Sequence, residues 1–280
     1  MLVLAAAVVP HPPLLVPALA AGAAGLVAPL LAACDAVVAG LLARAPRTVV
    51  LIGSGQHTGI RSDRELGTLD GFGANSGTSG LAGSDLGTPG RGESGLGMPG
   101  LGTSGLGTPG LGTSGLATSG LGTPGLPLSL TIGRWLLARA GWTEADATLV
   151  PQEVAAGAST EECQELGRRL AAETGPDSVW LALGDGSARR GPRSPGHDDP
   201  RAAGFDAEVV RAFAAGDLKA LLALDSALAA ELGAAGRPVW QVLAAAVAAA
   251  PDWPAIEAAV HYDDAPFGVE YLVADWRPRS

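Results

Sequence analysis

Apolar residues fall in short uninterrupted runs separated by longer stretches of helical spacing, the pattern of a sheet covered on both faces. Leu2 to Val9, Thr48 to Ile52 and Val179 to Leu183 are continuous, so each predicts a buried strand. A further strand is expected near Ala147 to Val150, and two more over Ile256 to Tyr262 and Val269 to Ala274. The Ala/Leu-rich stretch from Ala18 to Arg44 predicts a helix that Pro29 kinks or divides and Pro46 ends. Leu128 to Ala140 predicts an amphipathic helix closing at Gly141. Ser159, with Glu162 three residues on, is a capping-box pattern for a helix reaching about Glu173. Helices over Phe205 to Ala214, Leu218 to Leu232 and Val239 to Ala249 are stopped by Gly216, Gly233 and Pro251. This alternation predicts an α/β fold with a mostly parallel central sheet flanked by helices, residues 1–280 forming one domain.

The pattern stops between residues 66 and 127, where Gly, Leu, Thr, Ser and Pro take over and a five-residue repeat appears, as in Gly105 to Pro109 and Gly110 to Ser114. Glycine does not recur at every third position, which excludes collagen. Repeated Pro-Gly pairs with little apolar area to offset ordering entropy predict a disordered low-complexity insertion within the domain.

Composition narrows the class. Only 4% of the 280 residues are aromatic while 47% are hydrophobic, so Ala, Leu and Val must fill the core by close helix-to-sheet packing. A formal net charge of −10 repels a phosphate backbone, and nucleic acid is not an expected partner. Two cysteines, Cys34 and Cys163, are too few and too far apart for a disulfide framework, which suits a reducing cytoplasm. The opening apolar run lacks a basic flank and meets Pro10, Pro12 and Pro13, so it reads as a strand and not a signal peptide. No membrane span is expected.

Candidate chemistry lies where the strands end. His11 follows the first run, His57 the second, and Asp185 the third, and ligands of open α/β sheets collect outside the carboxyl ends of strands. Two imidazoles and a carboxylate suit Fe, with Zn a second choice. Asp185 competes about evenly between a turn role and a site role; His197, beside Asp198 and Asp199, reads as a loop histidine that would replace a missing base if its loop folds back. Glu270, between apolar neighbours on a strand, takes a solvent-facing or edge position by default, with an orientation toward the site the alternative, and His261 takes the strand surface. Arg189, Arg190 and Arg193 read as a solvated loop face, with an anion site beside Gly184-Asp-Gly-Ser187 the weaker option.

The segments Val9-Pro-His-Pro-Pro-Leu-Leu15, Leu51-Ile-Gly-Ser-Gly-Gln-His57, Leu183-Gly-Asp-Gly-Ser187, Gly236-Arg-Pro-Val-Trp-Gln-Val-Leu243 and Tyr262-Asp-Asp-Ala-Pro-Phe-Gly268 together resemble the class III extradiol ring-cleavage dioxygenase B-subunit-like superfamily, in an actinobacterial branch related to Memo-like proteins. The resemblance implies a non-haem Fe(II) oxidoreductase that opens a catechol-type aromatic ring with dioxygen, with His11 and His57 as metal ligands and a small aromatic substrate. Members often assemble as dimers or with a small second subunit, so homo-oligomerisation is compatible with it. Two positions depart from the family pattern. Ala188 stands where an acid/base histidine is expected, and Ala234 and Ala235 where the third ligand is expected. His197 and Asp185 are the candidates to fill those catalytic roles, and the alternative is a catalytically degenerate member that binds a small molecule or a protein in the old pocket.

Overall fold

The computed structural model describes residues 3–65, 67–69, 125–175, 177–250 and 256–279. The repeats at 70–124 lie outside the described residues, as does the expectation of disorder made for them. The rims of that stretch do not behave as insertion. Leu69 and Leu126 are buried in the core, so the ordered domain reaches further into the Gly-rich composition than the boundaries 66 and 127 imply.

Among the described residues the strands are β1 (Val3–Val9), β2 (Thr48–Gly55), β3 (Gly59–Ile60), β4 (Thr148–Ala155), β5 (Ser178–Leu183), β6 (Ile256–Asp264) and β7 (Tyr271–Pro278). They form one seven-stranded sheet in the order β3-β4-β2-β5-β1-β7-β6. The centre, β4-β2-β5-β1, is parallel, while β3, β7 and β6 pair antiparallel at the two edges. The sheet is therefore α/β and mostly parallel at its centre, as the apolar runs predict. All six residues of β5 are buried, because it has strands on both sides and helices over both faces.

Helices α1 (Pro17–Ala20), α2 (Ala24–Leu42) and α3 (Leu128–Arg139) cover one face, on which Leu51, Val179, Leu181 and Val273 are buried. Helices α4 (Thr160–Thr174), α5 (Ala202–Ala215), α6 (Leu218–Leu222), α7 (Ser226–Leu232) and α8 (Arg237–Ala248) cover the other, around Trp180, Trp240 and Trp276. Phe213 stacks on Trp276 at 5.1 Å and meets Trp240 edge-on at 5.9 Å, so these three rings pack directly on one another on this second face, while Trp135 and Tyr271 are buried on the first. The Ser159 capping box forms with both of its hydrogen bonds.

Two helix expectations need correction. The stretch from Ala18 breaks at Ala21–Ala23, in a short 3-10 turn, and α2 then runs unbroken through Pro29. Pro29 and Gly25, whose carbonyl loses its partner, are exposed, so water satisfies that carbonyl and the ring has room. Leu218 to Leu232 is two helices, because the Asp225 carboxylate accepts the N–H groups of Ala227 and Leu228 and starts a new one. By length and composition α2 is also apolar enough to cross a membrane, contrary to expectation; in this fold Val27, Leu30, Cys34, Val37, Val38 and Leu41 bury one side of it against the sheet.

Gly167 marks the closest approach of α4 to α8: a β-carbon there would stand 2.4 Å from the Val242 carbonyl oxygen and 2.9 Å from the Ala246 nitrogen. Helix propensity alone favours alanine over glycine by roughly 0.5–1 kcal/mol. Backbone cannot move aside as a side-chain tip does, so overpacking of about 1–3 kcal/mol should win. Gly167→Ala is expected to lower the urea midpoint of unfolding; a raised midpoint would show that the two helices separate freely.

Candidate functional site

The parallel register sends the ends of β4, β2, β5 and β1 to one edge of the sheet, and β7 starts there. His11 and His57 thus leave strands that flank β5 on either side, and Asp185 leaves β5 between them. A strand spacing of ~4.8 Å puts the two histidine-bearing strand ends ~10 Å apart.

The turn after β5 is held at almost every backbone group. Gly184 N–H donates to the Val9 carbonyl at 3.0 Å, Gly186 to Glu270 at 2.8 Å and Ala188 to Leu232 at 2.9 Å, while the Asp185 carbonyl accepts from Gly236 at 2.8 Å. Gly184 has no room for a side chain, since a β-carbon would lie 2.4 Å from Gly236 Cα. With the backbone fixed in this way, the Asp185 carboxylate accepts the His11 N–H at 2.8 Å and lies 3.4 Å from His11 Nδ1. Asp185 thus ties the end of β5 to the residue after β1. His11 is buried, and its Nδ1 has no hydrogen-bond partner.

Cys34 and Tyr271 lie on the same side of the turn. Burial raises the Cys34 thiol well above its ordinary range, with Asp35 and Asp185 adding to it. Burial likewise raises the Tyr271 hydroxyl, with Asp185 next in effect. Both groups therefore stay neutral within the field of the Asp185 carboxylate.

His57 is positioned by a residue that the sequence does not single out. Glu153, 3% exposed near the end of β4, accepts the N–H of Gln56 at 2.7 Å and of His57 at 3.0 Å on one oxygen, while Arg61 Nη1 stands 3.4 Å from the other. Gly55 makes room for it, as a β-carbon there would meet the carboxylate at 2.2 Å. A signal was available: a glutamate inside an apolar run that pairs with the β2 exit. The His57 side chain itself is exposed. His197 is exposed too, in the left-handed region at φ +62°, and His261 sits on the surface of β6, 2.6 Å from Asp275.

Among the described residues no three His, Cys, Asp or Glu side chains are grouped so as to hold a metal ion. Ala188 and Ala234 offer only methyl groups: a β-carbon on Gly233 would lie 3.3 Å from that of Ala188, and Ala234 is buried. Two further expectations are corrected. Glu270 is 2% exposed rather than at the solvent, because its N–H and carbonyl pair with the β5 exit turn and draw its side chain under it. Arg190, half-buried, is not an open anion site, since it pairs with the Glu270 and Asp206 carboxylates.

No protein-family model matches the chain, and no curated protein matches it. Among solved structures it is similar to the uncharacterized protein JW3007 from Escherichia coli K12, at 14% identity over 98% of this chain and 99% of that one, with a TM-score of 0.42.

Removing Glu153 leaves two backbone donors without their acceptor. Glu153→Ala is expected to cost about 2 kcal/mol in chemical unfolding, and Glu153→Gln less, since one carbonyl oxygen remains to accept. Equal losses for the two variants would mean that the negative charge, and not the hydrogen bonding, holds the His57 loop.

Proposed function

We propose that the chain has an extradiol dioxygenase-like architecture whose strand-end site binds a small aromatic molecule, anchored at the His11–Asp185 pair, without opening its ring. The observation that carries this reading is the buried His11 Nδ1, left without a partner 3.4 Å from the Asp185 carboxylate. A buried ring nitrogen without a partner costs stability, and a phenolic or similar hydroxyl would satisfy it.

The residues present do not fit an Fe(II) centre of the family's kind, or a Zn site. His11 offers one nitrogen, Asp185 is engaged by the His11 backbone, the His57 side chain points to solvent, and the expected third-ligand positions are alanines. No chemical step is therefore assigned to a metal, to Asp185 or to His197. The buried free thiols of Cys34 and Cys163 suit a cytoplasmic protein, and the net charge of −10 disfavours nucleic acid. We place α2 within the domain and not in a membrane, on the strength of its buried apolar side.

Catechol and phenol titrated against the anaerobically purified protein should bind saturably, read by tryptophan fluorescence. His11→Ala should weaken that binding at least about tenfold, the equivalent of one lost buried hydrogen bond, and Asp185→Asn should weaken it less. Elemental analysis should find metal well below stoichiometric. Stoichiometric iron or zinc, with a yellow ring-opened product on admission of air, would replace this reading with the dioxygenase.

A further inference from the structure

Further along the β5 exit turn from Asp185, two buried carboxylates share one guanidinium. Arg190 bonds to Glu270 Oε2 and lies 3.9 Å from Asp206 Oδ2; Glu270 is 2% exposed and Asp206 1%. Asp206, on α5, accepts the Ser187 N–H at 2.8 Å and the Ser187 hydroxyl. Glu270 N–H donates to the Ser187 carbonyl, and Arg190 N–H to the Gly268 carbonyl. The three side chains thus fasten the turn to α5 and to the start of β7. Gly186 admits them, since a β-carbon there would meet Glu270 Cβ at 2.6 Å and Asp206 Oδ1 at 3.0 Å.

We propose that Arg190, Glu270 and Asp206 form a proton-operated latch on the 184–190 turn, which carries Asp185: closed while the carboxylates share one proton, and loosened as that proton leaves.

The argument is charge counting at a buried place. One guanidinium balances one carboxylate, and a second negative charge there has no counter-ion. Glu270 is where the proton resides, because its Oε1 is buried without a hydrogen-bond donor. The groups facing it are Arg190 from the turn, Asp206 from α5, and Asp263 and the Tyr262 hydroxyl from β6. Arg190 alone favours the ionised form, so burial, then the Asp263 side chain and then Asp206, push the Glu270 carboxyl up to about 8. Burial raises Asp206 as well.

The sign follows from linkage. The closed turn holds a proton that the opened, solvated turn releases, so closure weakens as pH rises from the ordinary carboxylate range to about 8, and levels off above it. The latch needs no ligand and does not depend on the binding reading.

Hydrogen exchange of the Gly186, Arg190 and Glu270 amides, expressed as protection factors so that intrinsic base catalysis cancels, tests it. Wild-type protection should fall with rising pH by up to about tenfold per unit in that window, then flatten. Glu270→Gln, which mimics the protonated acid, should lose most of the slope, and Asp206→Asn should move the plateau to lower pH. Protection independent of pH in the wild type, or an unchanged slope in Glu270→Gln, overturns the latch. Should the variants not fold, the carboxyl-carbon NMR titration of Glu270 in the wild type decides: a midpoint near 8 supports it, and one in the ordinary carboxylate range overturns it.

Discussion

The turn leaving β5 is the constraint on which the site depends. Gly184 is bound to Val9, Asp185 to Gly236 and His11, Gly186 to Glu270, Ser187 to Asp206, and Ala188 to Leu232. Five consecutive residues thus tie the central strand to β1, to the starts of α8 and β7, to α5 and to the end of α7. Buried backbone groups must find partners, and here the partners belong to different elements, so satisfying them also fixes how those elements meet. Along the turn Asp185 meets His11 and Ser187 meets Asp206. One short segment thus carries both the His–Asp contact and the Arg–Glu–Asp cluster.

Much of this was legible in the chain. The uninterrupted runs mark β1, β2 and β5 because strands buried on both faces have no polar positions to interrupt them. The strands' full lengths were less legible. β2 continues through Gly53-Ser-Gly55 and β4 through Pro151-Gln-Glu153, where polar or glycine residues conceal extended backbone. Gly53 and Gly55 are there to admit Ser129 and Glu153, contacts that belong to the fold and leave no local pattern. Glu270 shows the same limit. Alternation along an edge strand suggested solvent, yet the neighbour it meets is the β5 exit, some eighty positions away.

The site residues divide on similar grounds. His11 and Asp185 were visible as polar residues just past apolar runs, and topology places those run ends side by side. That Asp185 would be occupied by the His11 backbone depends on the exact rise of two strands and could not be read from spacing. His57 was visible by the same rule, but its orientation is governed by Glu153, which holds the backbone N–H groups and leaves the imidazole outside.

Helix α2 illustrates how a single composition can support opposite conclusions. Its mean hydropathy of 2.1 over nineteen residues satisfies the length and polarity of a membrane span. Its buried residues nevertheless recur at Val27, Leu30, Cys34, Val37, Val38 and Leu41, the three-and-four spacing of a helix with one packed side, and its exposed side is largely Ala and Gly, with Leu26 the large exception. Small side chains raise mean hydropathy while offering little area to bury. The periodicity of the large residues, and not the average, distinguishes a wall of the core from a span, and it places Cys34 against the sheet, within the field of the Asp185 carboxylate.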